Sequence, residues 1–352
     1  MARRKKYYQI KRLLQTKAPY MILLGMRANG KSYQVKETVL KAAWDKGTNF
    51  VYLRRWREDI KVSAVEAYFM DYDIDKLTKG EYTGVCAYQG YIYFCNYDEN
   101  NRPVKGQRIG RYCALNEAQR YKSQAFVGYK YIIYEEFITD EVYLADEPKK
   151  LQQFVSTVAR LDELTVLLVG NTMSRVCPFF AEWNLQGTLR QKQGTIEVYH
   201  VHGANGNVVD IAVENCEAIE NTSNMFFGSA AKQIVSGEWD VRESPRLPKK
   251  LEDYDECYRL DVKFQLMHFH LSLLIDDNGE VLVYIFPAKK LVKNARLITD
   301  IYTPSPQVTR HINKRCRAEV KMLECFQQDK VCYSDNLTAA DFTNVNRQYH
   351  IF

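Results

Sequence analysis

The chain has 352 residues and a mass of 41.1 kDa, with 49 Lys and Arg against 43 Asp and Glu for a net charge of +6. That length suits about two domains of roughly 150 residues each, and 46% hydrophobic with 26% charged residues excludes wholesale disorder. No apolar run approaches the roughly 20 residues of a membrane-spanning helix, and the basic start MARRKKYYQIKRLL lacks the apolar stretch of a secretory signal. Nine scattered Cys without a CxxC pair fit reduced thiols better than a disulfide framework or a zinc ribbon.

In chain order, Tyr20-Met-Ile-Leu-Leu24 reads as a buried strand that runs directly into Gly25-Met-Arg-Ala-Asn-Gly30-Lys31-Ser32. Val35, Val39, Ala42 and Ala43 then recur at helical spacing up to Gly47, a residue suited to stop a helix. Phe50-Val-Tyr-Leu53 predicts a second strand, followed by Arg54-Arg55. From about Leu77 to Cys113 the sequence turns into short, Tyr-rich, Gly-punctuated runs, which predict hairpins inserted as a lid over about 77–122. Tyr131-Ile-Ile-Tyr134 resumes the strands and ends in Glu135-Glu136. A helix over about 148–159 leads to Thr165-Val-Leu-Leu-Val-Gly-Asn171, and a further strand covers about 195–201. Apolar strands alternating with helices predict an α/β fold whose parallel sheet is covered on both faces. Residues 203–250 read as a linker region. Beyond it, Val262–Ile275 and Val281–Phe286 flank Asp276-Asp-Asn-Gly279, an antiparallel hairpin opening a smaller α+β domain over 251–352, with a helical tail from Ser305. The first domain is placed at 1–202.

Gly25 to Ser32 fits GxxxxGK[ST], the phosphate-cradling P-loop between strand and helix. Its glycines let backbone N–H groups wrap phosphates at the positive end of a helix. The expected nucleotide-binding residues are therefore Gly25, Arg27, Ala28, Asn29, Gly30, Lys31, Ser32 and Tyr33. Lys31 would reach the β- and γ-phosphates of ATP, and the Ser32 hydroxyl would ligate Mg²⁺. Glu135 and Glu136 fall where a parallel sheet presents its ligand side. The first is expected to hold Mg²⁺ and the second to act as general base toward the attacking water. Asn171, ending the next strand, is expected to sense the γ-phosphate or position that water, although an Asn there can equally be a turn former.

These motifs together give the chain a specific resemblance. It resembles the genome-encapsidation (DNA-packaging) ATPases of phi-29-like tailed phages, of the additional-strand, catalytic-glutamate class of P-loop motors. The match rests on the segment ending GKSY, on FVYLRRWREDIKVS, on YKSQAF shortly before YIIYEEFI, and on LLVGNTMSRVCPFFAEWNL. These blocks lie in the first 190 residues or so; the second half resembles the family only loosely. The resemblance implies a homo-oligomeric ring, a pentamer in this family, that drives double-stranded DNA into a preformed capsid from the host cytoplasm. It also implies docking on a portal through an RNA or protein adaptor, with no membrane partner. It implies that Arg160 acts across the subunit interface as an arginine finger, that Lys122 is a basic lid residue acting on a neighbour's nucleotide, and that Arg54 or Arg55 lies near phosphate, Arg54 being the one expected to do so. One departure is Glu135-Glu136 where the family commonly has Asp-Glu. The resemblance further implies an RNase-H-like C-terminal fold without catalytic acids. A strand from Val262 to His270 with no carboxylate in its interior supports that absence, so no nuclease activity is expected.

A translocating motor grips backbone phosphates with Lys and Arg. Arg57 and Lys61, after the second strand, are candidates for the DNA channel. Arg310, Lys314, Arg317 and Lys321 have the spacing of one helical face and are candidates for binding DNA, RNA or a portal. The N-terminal Arg3 to Lys6 read as an arm rather than a site. His200 with His202 and His268 with His270 each share a strand face but lack a third ligand at metal spacing. The Tyr-rich insertion is read as packing rather than base stacking. Two other functions stay open on the residues alone: a DNA translocase or helicase unconnected with capsids, and a DNA-binding module switched by nucleotide.

Overall fold

Two sheets, one in each half of the chain, organise the computed structural model, which describes residues 7–160, 162–203, 206–218, 239, 241–290, 295–301 and 305–352. The strands of the first are β1 (Tyr20–Leu24), β2 (Asn49–Arg54), β3 (Gly84–Tyr88), β4 (Tyr91–Tyr97), β5 (Pro103–Ala114), β6 (Tyr129–Glu135), β7 (Thr165–Val169), β8 (Thr195–His202) and β9 (Val208–Asn215). Their order is β3-β4-β5-β2-β6-β7-β1-β9-β8. The central strands from β5 to β9 are parallel, and an antiparallel hairpin partner closes each flank.

The helices of this half are α1 (Lys11–Gln15), α2 (Lys31–Lys46), α3 (Val62–Phe69), α4 (Ile74–Thr78), α5 (Glu147–Ala159) and α6 (Pro178–Glu182). Alternation along β1 explains its unbroken apolar run. Met21 and Leu23 join Val35, Val39, Leu40 and Ala43 of α2 in one layer, while Ile22 and Leu24 join Leu151, Phe154 and Val158 of α5 in the other. Each of the larger buried side chains, from Val upward, stabilises the fold by about 1.5–3 kcal/mol. Gly47 ends α2 at φ 64°, a left-handed cap that an L-residue adopts only with strain.

Two expected boundaries shift. The insertion at 77–122 is continuous with the main sheet rather than a separate lid, because the buried second half of β5 pairs parallel with β2 from Gly110 to Ala114. The first sheet also runs beyond residue 202. β9 lies between β1 and β8, with Ile211 to Asn215 buried, so the sequence assigned to a linker supplies an interior strand. Within 203–250, residues 204–205, 219–238 and 240 lie outside the described residues.

The second sheet consists of β10 (Tyr254–Phe264), β11 (Met267–Asp276), β12 (Val281–Pro287), β13 (Arg296–Thr299), β14 (Val308–Thr309) and β15 (Val331–Tyr333), in the order β14-β13-β10-β11-β12-β15. β10, β11 and β12 form an antiparallel meander, and β13 and β14 continue it in parallel. Leu260, Val262, Phe269, Leu271, Val283 and Ile285 point to one face. There α7 (Arg317–Gln327) and α8 (Asn336–Tyr349) add Met322, Cys325, Phe342 and Val345. The run expected as a single strand over 262–275 is broken by a turn at Gln265, whose φ is 52°. The expected helical tail also changes. Its helix starts only at Arg317, so Arg310 and Lys314 sit in the irregular segment before it and share no helical face with Arg317 and Lys321. All nine cysteines are free thiols. Among the described residues no helix is long and apolar enough to cross a membrane.

Candidate nucleotide-binding site

The loop between β1 and α2 is built as its glycines require. Gly25 has φ 144° and lies so close to the chain beyond β9 that a Cβ would sit 3.2 Å from the Cys216 carbonyl. Gly30, at φ 96°, begins α2 in the left-handed region. Arg27 and Ala28 are exposed at the apex, and Asn29 is buried beneath it. The Lys31 ammonium folds under the loop, donating to the carbonyls of Met26 (2.6 Å) and Gly25 (3.2 Å), to Asn29 Oδ1 (3.2 Å) and to Asn171 Oδ1 (3.3 Å). Burial disfavours its charge and pushes its pKa down to about 8, against the opposing pull of Cys216 and Glu135.

At the end of β6, Glu135 is 6% exposed and accepts from Ser32 Oγ at 3.2 Å on one oxygen and from Tyr68 Oη at 2.8 Å on the other. Burial raises its pKa, and the two hydroxyl donors, Tyr68 more than Ser32, pull it back. A desolvated carboxylate beside a hydroxyl, with no cationic hydrogen-bond donor on either oxygen among the described residues, is a donor set that suits a hard divalent cation such as Mg²⁺. Glu136 turns to φ 56°, breaking the strand alternation, and its half-open side chain meets Arg54 Nη2 at 2.5 Å. Thus Lys31, Ser32, Glu135, Glu136, Asn171 and Arg54 are brought together by the ends of β1, β2, β6 and β7. Tyr33 lies beside them on the first turn of α2, its ring 5.4 Å from that of Tyr72 and tilted by 39°.

Lys122 and Arg160 are elsewhere. They line a shallow groove with Lys149, Gln152, Gln153, Ser156 and Thr157, on the side of the sheet opposite to α2. Arg160, at φ 51°, donates to the Gln124 carbonyl at 3.3 Å. Arg57 is exposed in a short 3-10 turn, 3.7 Å from Glu117, and exposed Lys61 immediately precedes α3. Arg310, Lys314, Arg317 and Lys321 are exposed, with Lys321 paired to Glu324 at 2.8 Å.

Several contacts escaped the sequence reading. Tyr68 is one. Arg55 is another: unlike its neighbour Arg54 it turns inward to the buried Glu147 (2.8 Å), which also accepts from Tyr134 Oη (2.5 Å). Tyr8 straps the loop from outside, its N–H donating to the Asn29 carbonyl at 3.0 Å and its hydroxyl to Glu214 at 2.6 Å. Arg3 to Lys6 lie outside the described residues. In the second sheet Asp261, 1% exposed in the interior of β10, pairs with His270 Nδ1 at 2.5 Å and lies 3.9 Å from His268 Nε2. The acid-free strand expected over 262–270 therefore began one residue too late. Exposed His200 pairs with Asp210 at 2.7 Å. Among the described residues no three His, Cys, Asp or Glu side chains converge as metal ligands.

A strand, a GxxxxGKS loop, a helix and an acid at the end of a neighbouring parallel strand define a P-loop nucleotide-binding protein. The chain belongs to the podovirus DNA encapsidation protein (Gp16) family, whose model matches residues 2–201. It is 26% identical over 188 residues to the DNA packaging protein of Bacillus phage phi29, covering 51% of this chain and 50% of that one. It is 28% identical over 167 residues to the DNA packaging protein of Bacillus phage B103, covering 46% and 47%. The chain thus spans about half the length of the curated relatives it matches. Over nearly its full length the fold is similar to two solved structures. One is the bacteriophage Phi-29 viral genome packaging motor assembly (TM-score 0.58, 17% identity, 97% of this chain and 99% of that one). The other is the Phi-28 gp11 DNA packaging motor (TM-score 0.51, 17% identity, 99% of both).

Proposed function

We propose that this protein is the ATPase of a phage DNA-packaging motor, binding ATP at Gly25–Ser32 and driving double-stranded DNA into a preformed capsid. The observation that carries this reading is the meeting of Lys31, Ser32, Glu135 and Asn171 at one loop, in a member of the encapsidation family. The names of the relatives from phages phi29 and B103 support the packaging role.

In this reading the loop N–H groups and Lys31 bind the phosphates, Lys31 exchanging its carbonyl partners for phosphate oxygens. Ser32 and Glu135 would hold Mg²⁺, which when bound neutralises charge on the β- and γ-phosphates. Glu136, released from Arg54, takes a proton from the water that attacks the γ-phosphorus as the bond to the β-phosphate oxygen breaks. Asn171 orients that water or reads the γ-phosphate. The groove of Lys122 and Arg160 faces away from the subunit's own loop, which favours a role at a neighbour's nucleotide and hence a ring, a pentamer by family resemblance. Arg57 and Lys61 are the leading DNA contacts, and the exposed Arg310, Lys314, Arg317 and Lys321 serve DNA, RNA or a portal adaptor. The second half is read as an RNase-H-like domain: its β12-β11-β10-β13-β14 order is a three-strand meander extended in parallel from its first strand. Pairing of Asp261 with His270 favours a domain that does not cleave DNA.

The test is packaging itself. Purified protein, procapsids, DNA and ATP should yield nuclease-protected DNA, and Lys31→Ala should abolish it. ATP turnover stimulated by DNA without any protected DNA would favour a translocase unconnected with capsids. In mixed rings, Arg160→Ala subunits combined with Lys31→Ala subunits should recover part of the turnover each lacks alone, since some interfaces then join the intact Lys31 of one subunit to the intact Arg160 of its neighbour.

A further inference from the structure

The Mg²⁺ ligand assigned to Glu135 has a second support that comes from a helix outside the P-loop and strand ends. α3 packs its end on β2: Phe69 lies 5.8 Å from Phe50, and the Tyr68 ring lies 4.6 Å from that of Tyr52 with a 36° tilt. Lys36 of α2 sits 4.7 Å from the centre of the Tyr68 ring and is itself ion-paired to Asp71. The ring is thus held between a strand and a helix, with little freedom to rotate away. Its hydroxyl crosses from β2 to the next strand and donates to Glu135 Oε1 at 2.8 Å, while Ser32 holds Oε2 at 3.2 Å.

We infer that Tyr68 is a positioning residue for the nucleotide-linked metal site, fixing the rotation of the Glu135 carboxylate so that Oε2 stays beside Ser32. This rests on the ATPase reading above. A carboxylate held only by Ser32 could swing about its last torsion, and ordering it would then oppose metal binding. Groups that orient a metal ligand from behind commonly change metal affinity by about 10- to 100-fold when removed. The placement of Tyr68 also ties the metal site to α3, which starts at Val62 directly after the proposed DNA contact Lys61.

Tyr68→Phe removes the hydroxyl and keeps the ring packing. The experiment titrates Mg²⁺ into full-length protein with a fluorescent ATP analogue and follows nucleotide binding, with metal-free binding and thermal unfolding recorded on the same samples. The expected result is an unchanged metal-free affinity and about a tenfold higher Mg²⁺ concentration at the midpoint. A Tyr68→Phe curve that superimposes on a normal wild-type curve would overturn the inference and leave the ATPase reading standing. So would an equal loss of metal-free and metal-dependent binding, which marks a merely structural residue. Wild-type protein that binds no nucleotide at any Mg²⁺ concentration would overturn both.

Discussion

Both halves of this protein bury carboxylates in a sheet, and two of these, Glu135 and Asp261, are treated in opposite ways. Glu135 ends its strand and is held by two neutral hydroxyls, Ser32 and Tyr68, which stabilise a negative charge without cancelling it. Asp261 lies inside its strand, directly across from His270, whose Nδ1 meets the carboxylate at 2.5 Å. The first arrangement leaves a carboxylate with no direct ion pair among the described residues, Arg54 and Lys31 acting on it only at longer range. The second is closed on itself. The contrast shows that burial of an acid is not enough to mark a site.

The largest expected effect tests the division directly. Glu136→Gln should lower ATP turnover by about 100- to 10,000-fold, the usual range for a lost general base, with nucleotide binding retained. Asp261→Asn in the same assay should keep wild-type turnover. If Asp261→Asn matched the loss of Glu136→Gln, the two halves could not be separated as drawn here.

Next in size is the network of Arg55 and Glu147, the inward counterpart of the Arg54–Glu136 pair. Glu147→Ala leaves the Tyr134 hydroxyl without its acceptor and a buried guanidinium without its counter-charge, held only by the carbonyls of Glu136 and Phe137. Removing one partner of such a pair costs about 3–5 kcal/mol, so chemical denaturation should show a loss of that order. A change below about 1 kcal/mol would mean that water or a rearranged backbone carbonyl replaces the carboxylate.

How much of this could be read from the sequence depends on distance along the chain. The strand–loop–helix from Tyr20 to Gly47, the acids after β6 and Asn171 after β7 are local signals, since strand ends and glycine turns are written within ten residues. Tyr68 and Glu135 are 67 residues apart and Arg55 and Glu147 are 92 apart, so only packing joins them. β9 was hidden by its context: Val208 to Asn215 follows the sequence GANGN, which reads as part of a linker, and its place between β1 and β8 is decided by sheet pairing. Asp261 and His270 are nine apart across a tight turn at Gln265 that interrupts an otherwise continuous apolar pattern. The basic quartet failed for a related reason. Its spacing fits a helix, but Arg310 and Lys314 precede the first helical turn.

A smaller effect is expected at Asp261 itself. Asp261→Asn exchanges a charge-assisted contact for a neutral one and should destabilise the chain by about 1–3 kcal/mol. Asp261→Ala should exceed it by leaving both His270 and the surrounding strand face unpaired.

The smallest effect carries the sharpest sign. Burial raises the folded-state pKa of Glu135 above its unfolded value. The stability linked to this group is therefore fully present at low pH, where it is protonated in both states, and is lost as pH rises through the folded pKa. Without metal, the charged carboxylate burdens the folded protein at neutral pH. Glu135→Gln removes that burden, so metal-free Glu135→Gln should melt a little above wild type at pH 7, and the gap should close below the ordinary glutamate range near pH 4. Asp261→Asn should be less stable than wild type at pH 7, the opposite sign for the same chemical change. Saturating Mg²⁺ and nucleotide should reverse the order at Glu135, because the wild-type carboxylate then gains its counter-ion and Gln does not. If Glu135→Gln lowered the melting temperature at every pH without metal, the carboxylate would be a satisfied structural group like Asp261, and the contrast between the two sheets would fail.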